Sequence, residues 1–243
     1  TALLSKAGLG DLAALQEKLD RQRKPLSADM KLTVHLKTGV QPNRVDAKNV
    51  IGLLKGTSGT DETIVVGAHY DHLGNVPGQS SNTPSIHPGA DDNASGTAGV
   101  IELARVLSHE LGLRRNVLFI TFSGEELGLL GSAHFADHPT IDLKYIRAMV
   151  NFDMIGRLDL HKFTVYGIGS GQEFADLVKA AAEQAGVQYR AAGGGGMFGS
   201  SDHASFYHHD IPILFPFTGV HKQYHQPGDR WELIDAPGAT HVL

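Results

Sequence analysis

Residues Glu62–His72 read ETIVVGAHYDH, and from Ile64 to Ala68 no polar side chain interrupts the run. A strand with one wet face alternates apolar and polar residues, whereas an unbroken run suits a strand covered on both faces, in a sheet held between helices. The same pattern recurs in NVIGLLKG from Asn49, NVLFITFSG from Asn116, YIRAMVNFDMIG from Tyr145, KFTVYGIG from Lys162 and IPILFPFTG from Ile211. Between these runs, Ser95–Leu111 and Gly171–Gly186 repeat apolar residues at three- and four-residue spacing, and the second closes on Gly186 as a helix stop. Strands alternating with helices predict a three-layer α/β fold.

A chain of 243 residues can bury one sizeable core, which makes a single main domain the expectation. Its 26 acidic and 21 basic residues leave a formal charge of -5 with no Lys/Arg-rich block, which excludes the electrostatic footprint of a nucleic-acid binder. Cysteine is absent, so any metal must sit on His, Asp and Glu. No apolar run approaches the roughly 18 residues of a membrane span, and Thr1–Asp20 is amphipathic, without a signal peptide's basic start and cleavage site. Residues 1–40 read as an N-terminal appendage, with a short helix, a charged turn at Asp20–Lys24 and an edge strand or hairpin arm within Asp29–Gly39; residues 41–243 read as the main domain. The closing DAPGATHVL, Asp235–Leu243, stops where an Asp-x-Pro helix start should run on, so both ends read as trimmed.

In open α/β sheets functional groups collect at the carboxyl ends of strands. Here those ends carry His69, Asp71 and His72; Asp91 and Asp92 ahead of a helix; the pair Glu125 and Glu126; Asp153; and, after the last strand, His225 and Asp229. So many oxygen and imidazole donors suit zinc or a similar divalent pair. His69 and Asp71 are two apart, so on a continuing strand they share a side and Asp71 can hold the far imidazole nitrogen. Asp92 or Asn93 can cap the following helix, which leaves Asp91 free to bridge two cations roughly 3.5–4 Å apart. Two adjacent glutamates repel unless a cation neutralises one and the other shares a proton, which suits a ligand beside a general base.

In order and spacing, GAHYDHLG, GADDNASG, FSGEELGLLGS, VNFDMIG, SSDHASF and YHQPGD resemble the co-catalytic di-zinc aminopeptidases, the family of aminopeptidases Y and S in clan MH of the zinc exopeptidases, over about Asn49 to Asp235. The resemblance implies the zinc exopeptidase, phosphorylase/hydrolase-like fold with a central mixed, mostly parallel sheet, and two Zn²⁺ or other divalent ions per chain. By the same resemblance His69 and Asp153 would hold one zinc, Glu126 and His225 the other, and Asp91 would bridge them. Glu125 would be the general base for a water activated by the zinc pair, and Tyr224 would polarise the scissile carbonyl. Asp92 would follow Asp91 across a cis peptide and, with Asp71 and Asp229, stand behind the ligands. The implied activity is removal of N-terminal residues from peptides with a free N-terminus, in a secreted or periplasmic setting. The N-terminal stretch resembles the exit from a protease-associated insert domain.

The apolar lining for side-chain preference would come from Met154, Met197, Phe198, Phe215 and Phe217. All five ligand positions and the base are filled, unlike the family's inactive, receptor-like relatives. Two alternatives stay open: a glutaminyl cyclase, which would hold one zinc through a similar set, and a non-catalytic interaction domain that keeps the cleft. Oligomeric state is not implied. Other features read as bland. YGIGSGQEF has Gln172 at the third glycine position of a dinucleotide fingerprint, and the Asn93 sequon is incidental. His87, His109, His134, His138, His161, His208 and His209 read as surface residues, and Asp202 and His203 as loop-ordering or supporting residues.

Overall fold

The structure, a computed structural model, describes residues 2–31, 33, 35–41, 44–76, 85–110, 112–158, 162–192 and 199–243. The chain divides into two compact units, Thr1–Val45 and Asp46–Leu243. The first holds α1 (Ala2–Lys6) and α2 (Leu12–Gln22). Asp11 caps α2 by accepting the amides of Ala13 (2.9 Å) and Ala14 (3.3 Å). The expected edge strand within Asp29–Gly39 is not formed by the described residues there, which are mostly exposed. A strand needs a ladder partner, and no described segment pairs with this one.

The second unit runs β1 (Val50–Leu54), β2 (Thr63–His69), β3 (Gly74–Val76), β4 (Ser85–His87), α3 (Gly96–Leu107), β5 (Asn116–Phe122), α4 (Leu130–Asp137), β6 (Ile146–Asn151), β7 (Lys162–Tyr166), α5 (Phe174–Ala185), β8 (Gln188–Ala192), α6 (His203–Tyr207), β9 (Ile213–Phe217) and α7 (Ala236–Val242). Seven strands form one sheet in the order β1-β5-β2-β6-β9-β7-β8, and β3 and β4 make a separate hairpin. β2 pairs in parallel with β5 and β6, β6 with β9, and β7 with β8, while β1 on β5 and β7 on β9 are antiparallel. The sheet is therefore mixed and mostly parallel.

Both faces of β2 and β5 are buried, as their unbroken apolar runs require. Val65, Leu118, Ile120 and Phe122 pack against Phe135 of α4 and Phe206 of α6, whereas Val66, Ala68, Val117 and Phe119 face Val100 of α3, with Val242 and Leu243 beside it. Phe206 is fully buried, with ring centroids 6.0 Å from Phe122 and 5.7 Å from Phe135. Phe206→Ala should lower stability by about 3–5 kcal/mol, seen as a lower urea midpoint at unchanged slope. Edge strand β8 has an exposure pattern without a continuous apolar run, which is why its sequence does not announce it.

Register decides what the sheet presents at its carboxyl edge. His69 pairs with Phe122 and Gly67 with Asn151, so the residues just beyond β5 and β6 flank His69. Gly96 permits the approach of α3 to that edge, because a Cβ there would collide with the carbonyl of Phe152.

Candidate metal centre

His69 ends β2 almost fully buried. Its Nδ1–H donates to the main-chain carbonyl of Asp71 at 3.0 Å, which leaves the Nε2 lone pair free. That Nε2 faces Asp92 Oδ1 at 3.3 Å and Asp153 Oδ1 at 3.5 Å. Asp153 follows β6, and the next residue, Met154, turns the chain at a left-handed φ of 56°. A second group adjoins the first through the other oxygen of Asp92. His225 Nε2 lies 3.1 Å from Asp92 Oδ2 and 3.2 Å from Glu126 Oε2, and His72 Nδ1 lies 2.8 Å from Glu126 Oε1 and 3.8 Å from Asp92 Oδ2.

Two donors about 2.1 Å from one tetrahedral ion sit roughly 3.4 Å apart, close to these separations. Among the described residues His69 Nε2, Asp153 Oδ1, Glu126 Oε1 and both ring nitrogens of His72 are buried without a hydrogen-bond partner. Orphaned buried polar atoms that point at one another are what a cation site leaves when the protein atoms are considered by themselves. The donor set, imidazole and carboxylate without sulfur, fits a divalent metal. Burial alone would lower the pKa of His69, yet the carboxylates of Asp153 and Asp92 beside its Nε2 push it up to about 12. The surrounding anions thus demand a positive charge at this lone pair, which a proton or a cation can supply.

Asp91, the expected bridge, points elsewhere. Its Oδ1 accepts from Gly156 N–H (2.7 Å) and Ser95 Oγ–H (3.1 Å), and its Oδ2 lies 3.1 Å from His221 Nε2. Asp92 occupies the shared position instead, and the cis peptide falls at Asp92–Asn93 rather than Asp91–Asp92. The reason is long-range. The carboxylate of Asp229 accepts the amides of both Asp91 (3.0 Å) and Asp92 (3.1 Å), and Asn93 is pinned by donating to Phe152 O and accepting from Gly96 and Met154 N–H. Capping of α3 therefore falls to Asn93, which its burial also closes to glycosylation.

Asp71 likewise departs from expectation. β2 ends at His69, so the two side chains do not share a strand face, and the carboxylate of Asp71 stays 3.7 Å from His69 Nδ1. It accepts instead from the amides of Glu125 (3.1 Å) and Glu126 (3.3 Å). The glutamates lie in a turn between β5 and α4 rather than in a helix's first turn. His87, read as a surface residue, is half-buried: its Nδ1–H donates to the carbonyl of His225 (3.1 Å), a residue held at a left-handed φ of 55°. Such a conformation costs of order 1–3 kcal/mol and needs support of this kind.

Residues 49–243 match the profile of Peptidase family M28. The chain belongs to this family. Aminopeptidase YwaD of Bacillus subtilis is 34% identical over 201 residues, 77% of this chain and 40% of YwaD. The solved structure of BSAP, a zinc aminopeptidase from Bacillus subtilis, has a TM-score of 0.64 at 30% identity, over 80% of this chain and 48% of that one. A glutaminyl cyclase from Porphyromonas gingivalis, at 19% identity and a TM-score of 0.60, shares the fold. The chain spans about half or less of the length of these Bacillus relatives.

Glu125 of this M28 domain faces the same cleft as the donors. Burial pushes its pKa up to about 8, against the pull of His69 and with the help of Asp153, Asp202 and Glu126. Asp202 itself is fully buried, and burial raises it to about 7. Glu125, Asp92, Asp153, Tyr224 and His225 line a cavity of about 110 Å³, whose apolar wall includes Met154, Phe215 and Phe217. Met197 and Phe198, also expected there, lie outside the described residues, as does His161. Tyr224 stacks on His225 with centroids 3.9 Å apart, and burial together with the nearby carboxylates raises its phenol to about 12. It is therefore protonated at neutral pH and able to donate.

Sequence reasoning counted His72 among the donors at the strand ends without giving it a ligand position, and gave no role to His221. His72 is three residues beyond His69, and once the strand stops the two can face one cleft; nothing local announces His221, whose partner Asp91 is 130 residues away.

Proposed function

We propose that this M28 domain is the catalytic part of a zinc-dependent aminopeptidase. One observation carries the reading: two groups of donors, several of their atoms buried without a hydrogen-bond partner, share Asp92 and adjoin both Glu125 and an apolar cavity. His69, Asp92 and Asp153 would hold one cation, and Asp92, Glu126 and His225 the other. Two divalent cations there would lower the pKa of water from about 15.7 towards about 7 and draw electrons from the scissile carbonyl.

Glu125 would take the proton from the attacking water and pass it to the leaving amine. Its raised pKa suits a group that must both accept and release a proton near neutrality, and cations beside it would draw that pKa down again. Tyr224 O–H would donate to the carbonyl oxygen as negative charge develops on it. The carboxylates around the cavity favour a substrate's free α-ammonium, and its size suits one apolar side chain rather than a chain passing through. The printed names of the Bacillus relatives, an aminopeptidase and a zinc aminopeptidase, support the same substrate class.

Metal analysis coupled to a panel of aminoacyl-anilides tests this. We expect two equivalents of zinc and hydrolysis that requires a free amine, with acetylated substrates inert. A single equivalent with cyclisation of N-terminal glutamine would overturn it.

A further inference from the structure

His72 has no part in the two-cation scheme above, yet it is built into the same cluster. Its side chain is 7% exposed, and the carboxylate of Glu126 lies between two imidazoles, with Oε1 2.8 Å from His72 Nδ1 and Oε2 3.2 Å from His225 Nε2. At 2.8 Å His72 and Glu126 are within hydrogen-bond distance. Neither atom makes a hydrogen bond. His72 Nδ1 also faces Asp92 Oδ2 at 3.8 Å, so both of its neighbours are atoms of the second donor group. The ring's seat is specific. Gly89, at a φ of 66°, has no Cβ, and one built there would collide with both the His72 ring and the carbonyl of Asp92.

We infer that His72 Nδ1 is a further ligand of the cation held by Glu126 and His225, which makes the two metal sites unequal. The inference rests on the two-cation reading. One site then has four protein donors, His72, Asp92, Glu126 and His225; the other has three, His69, Asp92 and Asp153. Four protein donors close a zinc site, whereas three leave a position for a reacting group. The closed site should hold its ion more tightly, and the open one should be the first emptied by a chelator.

The test is a zinc titration of metal-free full-length protein, with cobalt(II) absorption as a second readout. Wild-type protein should bind two equivalents of unequal affinity. His72→Ala should weaken the tighter one by about 10–100-fold or more and change the cobalt band of that site, leaving the other within about twofold. Thermal unfolding of the metal-free variants checks that each is folded. If wild-type protein takes two equivalents but His72→Ala matches it in both affinities and spectrum, His72 is not a ligand, although the two-cation reading stands. Wild-type affinity and spectrum in His72→Asn would make the residue a hydrogen-bonding tether of Glu126 and would also overturn the inference. Fewer than two equivalents in the wild type would remove the reading beneath it.

Discussion

Glu125→Gln should keep both equivalents of metal and lower kcat by about 10²–10⁴-fold, the usual contribution of a positioned acid–base group. The substitution preserves shape and removes the ability to take a proton. The backbone amide of Glu125, held by the Asp71 carboxylate at 3.1 Å, is untouched, so the turn should keep its form. Glu126→Gln should behave differently. Its carboxylate contacts His225 and His72, so losing its charge weakens metal binding first and turnover as a consequence. Metal content and single-turnover rates measured on the same preparations separate the two outcomes. Equal metal loss in both variants would mean that acid–base work and ligation are wrongly divided between the glutamates.

Asp92→Ala should abolish metal binding at both sites and reduce activity by about 10⁵-fold or more, because water left at its ordinary pKa is a poor nucleophile near neutrality. Oδ1 faces His69 and Oδ2 faces His225, so one truncation removes a donor from each group. The metal-free fold should not suffer. Burial raises the pKa of Asp92, and Asp153 and Glu126 add to the rise, so deleting it relieves repulsion. Asp91→Asn should do the reverse, retaining both equivalents while costing about 1–3 kcal/mol in urea unfolding through its buried hydrogen bonds to Gly156 and Ser95 and its contact with His221. Loss of metal on changing Asp91, with none on changing Asp92, would return the bridge to Asp91.

Why Asp91 and Asp92 exchange places relative to the sequence-based expectation is instructive. Both lie in one turn ahead of α3, and nothing local separates a capping role from a ligating one. The choice is made by the Asp229 carboxylate, 137 residues from Asp92, and by the Gly156 amide, 65 residues from Asp91. Asp71 fails for a nearer reason: the two-residue periodicity that would align it with His69 applies only within a strand, and β2 ends at His69. His87 supports His225 from a hairpin that carries no strong apolar pattern, so its burial is invisible in the residues around it.

The α/β class, the helices around Ser95–Leu111 and Gly171–Gly186 and the gathering of donors at strand ends were determined by the sequence itself, because hydrophobic periodicity and motif spacing are local properties of the chain. Which carboxylate faces the shared position, which imidazole nitrogen is left free and how His72 meets Glu126 were decided only by tertiary structure. Those outcomes depend on hydrogen bonds and close approaches between segments remote along the chain, and a side chain's direction is set by the partners that fill its surroundings.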